Sequence, residues 1–476
     1  MAISEQTQHS DEIFQAVEQA HRLVYGYGYV PWEYVHGIRS WLLPGLIAGV
    51  LSFCRLAGLN DPSLYIPVVQ IWACVLSLSA IVCAYWLGRT LMSESVGRIA
   101  SLLAAGWYEM VAMAAKATPE IFGAYLLLGA LTCLVVSPRR QSLALICGLI
   151  CGLCAGGAIA LRLQYAPVVL VIIAMAGLYT WQGRWSRGCL GLAAAGFLAV
   201  VLFAGWLDYY MWGSYFASYY NNYLYNQVYK VSSLWGKQPI WYYPALLGAY
   251  SAGLFWIAIA ASLQRKGPKP WLILALLGAI LLPHSSIAHK EYRFIFAAVP
   301  LCLLLTAQMI DDLRQPGWRA SLQPAKPNRN WGRVLARLTV FYTLLGLLVS
   351  LVVLGQNARL HAYLYLNNQP ALVSLLNLNT AWYNSGGYYY LHRDVPIYFP
   401  EHVENIDPDD YGRYASHIVC KRDHEAIRGF EPVAQFGKLE VRAATQPPTE
   451  TLEVDTRHPP QGGVDSIYQP RVTPRF

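Results

Sequence analysis

From residue 41 to residue 355 the chain is a succession of apolar runs, most of them near the roughly 20 residues that a helix needs to cross the hydrocarbon core of a bilayer. Inside lipid a segment must pair its own backbone N–H and C=O groups, so runs of this length read as helices. About ten spanning helices are expected, near 66–88, 98–114, 119–136, 142–160, 165–181, 189–207, 241–262, 270–286, 293–310 and 337–355. Only 13% of the 476 residues are charged, against about 25% in soluble domains. That excludes a soluble domain, a disordered chain and a fibrous repeat. Residues 42–57 are apolar too, but they are short, with Pro44 early and Arg55 late. They read as an interfacial or re-entrant segment.

The basic residues set the orientation. Alternate loops carry Arg89 and Arg98; Arg139 and Arg140; Arg184 and Arg187; Arg265, Lys266 and Lys269; and Arg314, Arg319, Lys326, Arg329, Arg333 and Arg337. By the positive-inside rule these loops are cytoplasmic. The opposite side then holds residues 1–65, the connections near 115–118 and 161–165, the loop 208–240, the stretch 284–292 and everything after 356. The formal net charge of +8 is thus a matter of topology, and a nucleic-acid partner is not expected. Basic residues on the outer side, Lys116, Arg162, Lys230, Lys237, Lys290 and Arg293, are not asked for by that rule. Ionisable groups at membrane depth default to a functional reading.

Nine of the ten cysteines lie in or beside apolar runs, which excludes a disulfide framework. Cys151 and Cys154 form a CxxC in a Gly-rich run and read as small residues packed between helices. Residues 10–25, SDEIFQAVEQAHRLVY, read as an amphipathic interfacial helix with Ser10 as N-cap. Asp11, Gln15, Glu18 and Arg22 share one face; Ile13, Val17, Ala20 and Val24 share another.

The segment HSDEIFQAVEQAHRLVYGYGYVPWEYVHGIRS resembles the first extramembrane loop of glycosyltransferase family 22, the lipid-linked mannosyltransferases of GPI-anchor and N-glycan assembly and their bacterial relatives. The matching residues are His9, Asp11, Glu12, Gln15, Ala20, His21, Trp32, Glu33, Tyr34, Arg39 and Ser40; Pro31 departs from the usual Thr. HKEYRFIFAAVP (289–300) is similar to the family's H-K-E-x-R-F signature through His289, Lys290, Glu291, Arg293 and Phe294. LDYYMWGSYFASYYNNYLYN (207–226) and SSLWGKQPIWYYP (232–244) resemble its luminal loop, and Arg162 of RLQYAP falls where an R-P-T is common. The likeness runs from residue 9 to about 355.

The resemblance implies a GT-C architecture: an α-helical polytopic membrane bundle whose active site lies at the non-cytoplasmic face. It also implies a polyprenyl-phosphate sugar donor, typically mannose, a lipid-linked or glycan acceptor, and inversion at the anomeric carbon. Such a transfer needs a base for the acceptor hydroxyl and cations for the departing phosphate. Asp11, opening the interfacial helix, is the expected base; Glu12, about 100° round the helix, is the second choice. Lys290 and Arg293, with His289 and Arg162, are the expected phosphate clamp. Gln15, His21, Trp32, Glu33, Arg39, Asn222, Asn226 and Glu291 are the expected substrate contacts. Neither a cofactor nor a metal is expected: HExxH, a suitably placed DxD and a nucleotide-binding glycine loop are all missing from the sequence.

Four parts are expected: residues 1–65, an outer catalytic loop; 66–355, the bundle; 356–444, a small α/β domain outside the membrane; and 445–476, a disordered tail. Within the third, 369–379 reads as a helix, while 414–420 and 430–444 read as strands. His392, Arg393 and Asp394 read as a surface turn. No Asn stands in an N-x-S/T context, which favours a bacterial cell membrane over the alternative, the endoplasmic reticulum. A transporter or flippase would show inverted repeats and midplane charges; here the ionisable residues gather at one face. A catalytically inactive homologue is the remaining alternative.

Overall fold

The computed structural model describes residues 10–136, 140–264, 268–314, 331–354, 357–378 and 382–458. His9, Arg139, Arg265, Lys266, Arg319, Lys326, Arg329 and the end of the chain from 459 lie outside the described residues. The chain divides into two compact units: residues 1–72, 211–213 and 350–476 form one, and residues 73–210 and 214–349 the other.

The second unit is helical. Each of the ten expected regions holds helix, and three of them, 98–114, 241–262 and 293–310, are broken. Among the described residues five helices are long and apolar enough to cross a membrane: Pro62–Leu91, Gln141–Leu161, Leu163–Trp181, Arg187–Trp212 and Gly332–Val349. A sixth span results if Tyr242–Tyr250 and Leu254–Leu263, bent by 108°, count as one. The bend falls where Ala252 and Gly253 take left-handed backbone, at φ 49° and 79°. The expected span 98–114 is likewise two helices, Glu94–Gly106 and Tyr108–Met113, parted by extended backbone at Trp107. The Trp107 indole donates to the buried Glu109 carboxylate across 2.6 Å, so a polar contact offsets the lost helical bonds.

Burial separates lipid from core. Ala298–Arg314 is buried along nearly all its length and forms the centre of this unit. Leu198, Leu202, Phe203 and Trp206, and likewise Leu338, Phe341, Leu344 and Leu348, leave apolar stripes exposed on the outer helices. Stripes of this extent belong against lipid, and the protein is a multi-pass membrane protein. The CxxC run packs as expected. Gly148, Gly152 and Gly156 lie so close to the Cys189, Ala193 and Phe197 backbone that a Cβ on Gly152 would clash with the Ala193 carbonyl oxygen. Cys154 packs toward Gly129, and all ten cysteines are free thiols.

In the first unit residues 10–25 are helical, with a wider π-helical turn over Ile13–Val17. The expected exposed polar face is not there: Glu12 through His21 are buried on every side. Their polar groups find partners inside the protein, which is why burial is tolerated. The helix Leu42–Leu56 packs on Glu18–Tyr25, and Arg55 donates to the Val24 carbonyl at 2.8 Å.

The same unit carries a five-stranded sheet of β1 (Leu375–Asn377), β2 (Ile397–Tyr398), β3 (His417–Lys421), β4 (Phe430–Phe436) and β5 (Leu439–Ala444). The order is β2-β1-β3-β5-β4, parallel on either side of β1 and antiparallel from β3 onward. Leu376, Tyr398, Ile418, Cys420 and Phe430 share its core. The stretch expected as a helix at 369–379 instead holds β1. Pro370 disfavours helix in the residue before it, and Ser416 fastens this strand through the Val373 and Ser374 backbone. The stretch 445–458 is tied down rather than disordered: Thr449 N–H bonds the Arg413 carbonyl, Leu452 N–H the Tyr398 hydroxyl, and Val30 N–H the Arg457 carbonyl.

Candidate active site

Two clusters, one in each unit, hold most of the expected residues. In the first unit Asp11 is half-buried in the opening turn, while Glu12 beside it is 1% exposed. The Gln15 amide donates to Glu33 Oε1 at 2.7 Å, and the Tyr34 hydroxyl donates to the Gln15 carbonyl at 2.8 Å. The segment 32–35 is thereby held against the helix that begins with Asp11. Burial pushes the Glu33 carboxyl up to about 7, against the pull of Arg39; Asp11 adds to the rise. Glu33 therefore feels the charges of both Arg39 and Asp11. Trp32 is buried beside His36.

His21 is buried and takes a structural place. Its Nδ1 lies 3.2 Å from the Tyr27 carbonyl and its Nε2 3.0 Å from His392 Nδ1. Burial, then the neighbouring His392, push it down to about 3, so the ring stays neutral. His392, expected in a surface turn, is thus half-buried. Arg393 donates to the carbonyls of Asn367, Gln369 and Leu372, and Asp394 pairs with Arg457.

Sequence reasoning missed Glu18 as a site-forming residue. It is fully buried and accepts from the N–H groups of Tyr29 (2.9 Å), Tyr388 (3.1 Å) and Tyr389 (2.8 Å). It therefore ties the N-terminal helix to the helix Gly387–Leu391. Burial pushes its carboxyl up to about 7, opposed by those three bonds. Its place on the helix face shared by Asp11 and Gln15 was the available signal.

In the second unit an ionic cluster joins helix ends. Arg162, just past Gln141–Leu161, pairs with Glu120, at the start of Pro119–Val135. Arg293 lies 3.9 Å from the same Glu120 oxygen and 2.7 Å from Glu291, which also takes His289 at 2.9 Å. Both guanidiniums lie over the Phe294 ring, at 4.3 and 5.3 Å. Arg162, Arg293 and Glu120 are at most 9% exposed, so their charges act in low dielectric. Of the four residues expected as the clamp, Arg162, His289 and Arg293 come together. Glu120, unforeseen, is the carboxylate between the two arginines; an acid directly after a Pro that opens an apolar helix was its signal.

Lys290 differs from expectation. Its ammonium donates to the Gln238 carbonyl at 2.9 Å and to the Ile287 carbonyl, while Gln238 N–H bonds the Ala288 carbonyl. It fastens the loop 236–240 in place of standing in the ionic cluster. Asn226 donates to the Asn222 carbonyl at 3.1 Å, and both are half-buried. Asp208 accepts from Ser218 N–H (2.8 Å) and Oγ–H (2.6 Å), and the Tyr219 hydroxyl donates to the Ala160 carbonyl. These bonds hold the aromatic loop against the helix ends. One helical turn from Glu120, Ala124 lines a small apolar crevice together with Ile280 and Ala297.

Comparison with solved structures gives the architecture first. The fold is shared with ArnT from Cupriavidus metallidurans bound to undecaprenyl phosphate, at TM-score 0.61 and 11% identity, over 97% of this chain and 96% of that one. The chain therefore has the GT-C architecture. It belongs to the Alg9-like mannosyltransferase family, whose model matches residues 1–392, and it is a membrane glycosyltransferase. Among its relatives, GPI mannosyltransferase 3 of Yarrowia lipolytica is 26% identical over 82% of this chain and 72% of its own length. Mannosyltransferase APTG1 of Arabidopsis thaliana is 24% identical over the same shares. Both organisms are eukaryotes, so the relatives lend no support to the expected bacterial membrane.

Proposed function

We propose that the protein transfers mannose from a polyprenyl-phosphate donor to a lipid-linked or glycan acceptor, with inversion, at the non-cytoplasmic face. The observation that carries this reading is the pair of buried arginines at the ends of apolar helices. A guanidinium presents five N–H donors in a planar fork, more than one carboxylate engages, and a phosphate anchored by a lipid tail arrives at that depth. Glu120 and Glu291 hold the two guanidiniums in place and balance their charge. Relatives named as mannosyltransferases support the choice of sugar.

Asp11 supplies the base. It takes the proton of the acceptor hydroxyl; the oxygen bonds to the anomeric carbon, and the bond from that carbon to the phosphate oxygen breaks. The departing polyprenyl phosphate carries the released charge, which Arg162 and Arg293 stabilise. Glu12, almost wholly buried, is the weaker candidate. Gln15, Glu33 and Arg39 position the segment that bears the base, and Asn222 and Asn226 contact the sugar.

Purified protein in vesicles, given polyprenyl-phosphate mannose and a lipid-linked glycan acceptor, tests this. Asp11→Asn is expected to lower turnover roughly 10²–10⁴-fold, as for a lost general base, with donor binding intact. Arg293→Ala is expected to weaken donor binding as well. Chelator is expected to leave the rate unchanged. Near-normal transfer by folded Asp11→Asn would move the base to Glu12; transfer from a nucleotide sugar alone would overturn the donor.

A further inference from the structure

The helix Pro268–Ser286 ends in Pro-His-Ser-Ser, and His284 there is 2% exposed. Its Nδ1 lies 2.7 Å from the Ile280 carbonyl oxygen. A carbonyl can only accept, so Nδ1 carries the proton and Nε2 holds the lone pair. Among the described residues no donor reaches Nε2. A buried acceptor without a donor is rare and calls for an explanation. The helix packs on Tyr292–Ile295, which carries Arg293, and on Leu163–Tyr165, directly after Arg162, so its end lies near the ionic cluster, and the charges of Arg162 and Glu120 both act on this ring. Ile280, one helical turn away, lines the apolar crevice.

We infer that His284 recognises the sugar of the donor: its Nε2 accepts a hydrogen bond from a hydroxyl of the transferred hexose. The inference rests on the polyprenyl-phosphate hexose reading above. The phosphodiester of such a donor has no O–H at neutral pH, and its oxygens are acceptors like Nε2 itself. Of the donor's polar groups, the sugar hydroxyls alone can pair with a neutral imidazole nitrogen. The arginines are the complement, since a guanidinium only donates and so takes the phosphate. An acceptor and two donors at neighbouring helix ends thus sort the headgroup, hydroxyl to His284 and phosphate to Arg162 and Arg293.

Competition binding with two lipids tests this: polyprenyl-phosphate mannose, and polyprenyl phosphate without sugar. His284→Phe keeps a ring and removes the acceptor; His284→Gln offers an amide oxygen in its place. His284→Phe is expected to bind the mannose-bearing lipid about 10-fold more weakly, the scale of one hydrogen bond, and the sugar-free lipid like wild type. His284→Gln should recover part of the loss, and Arg293→Ala should weaken both lipids. A donor with the paired hydroxyl replaced by hydrogen should bind wild type weakly and lose nothing further in His284→Phe. Equal losses for both lipids, or no loss for either, would overturn the assignment. If His284→Phe does not fold, a deoxy-mannose series on wild type decides: a series in which no member loses affinity overturns it. Wild-type protein that ignores the mannose-bearing lipid would overturn the donor reading itself, a result visible without any variant.

Discussion

Buried titratable side chains dominate the N-terminal segment, and they tilt stability with pH in opposite directions. Glu33 has its carboxyl raised by burial to about 7 from an ordinary 4.5. A raised folded-state value means that the stabilisation is complete below about 4.5 and lost as pH climbs through 7. His21 is lowered by burial to about 3 from 6.5; its contribution is present above 6.5 and is lost as pH falls toward 3. Glu33→Gln, neutral at every pH, should therefore flatten the fall in thermal midpoint between pH 5 and pH 8 while leaving the acid limb intact. The difference from wild type should be roughly 1–3 kcal/mol across that window. A parallel profile in both proteins would show Glu33 already ionised at pH 5. These environments were only half legible in the sequence. Residue identities marked Glu33 and His21 as significant, but the partner of His21, His392, lies 371 positions along the chain. Lys290 was misplaced for the same reason: one carbonyl that takes its ammonium belongs to Gln238, 52 residues away.

Hydropathy located the helices but could not see where they break. Within a run that is apolar on all sides there is no stripe whose interruption marks an end; Trp107 and Ser251–Gly253 sit inside such runs. The strand at 375–377 was hidden too, since three buried residues of a short strand look like part of a helix. Close contact between helices was easier to foresee, because small residues spaced by four have few other uses in lipid. The stripe Gly148, Gly152 and Gly156 makes that contact a testable one. Gly152→Leu would drive a side chain into the Ala193 backbone, and interiors at crystal-like density cannot absorb such volume. The variant should fail to yield folded, monodisperse protein in detergent. Gly177→Ala is the control: nothing lies within 4 Å of an added Cβ there, and replacing a helical glycine by alanine should be neutral or stabilising by about 1 kcal/mol. Equal thermal midpoints for Gly152→Leu and wild type would refute close packing along this stripe.

At the scale of the helical unit, the alternation of basic loops and the distribution of ionic contacts describe one polarity. Helix ends assigned to the outer side meet in the Glu120–Arg162–Arg293 cluster. Ends assigned to the cytoplasmic side meet elsewhere: Arg89 pairs with Glu94 at 2.8 Å, and the Ser95 hydroxyl donates to Asp311 at 2.5 Å. Contacts group the ends into two sets, and the Lys and Arg bias supplies the assignment of one set to the cytoplasm. Impermeant thiol labelling in a cysteine-free background separates the two. Tyr215 is 61% exposed in the aromatic loop, and the Arg98 side chain is 72% exposed at the other set of ends. In sealed cells or right-side-out vesicles Tyr215→Cys should label at once and Arg98→Cys after permeabilisation. The reverse order would keep the two-ended arrangement and invert the protein in the membrane, placing the arginine cluster where cytoplasmic sugar donors reach it. Labelling of both sites before permeabilisation would dissolve the division into two ends, and with it the reason for reading Arg162 and Arg293 as residues on a shared face.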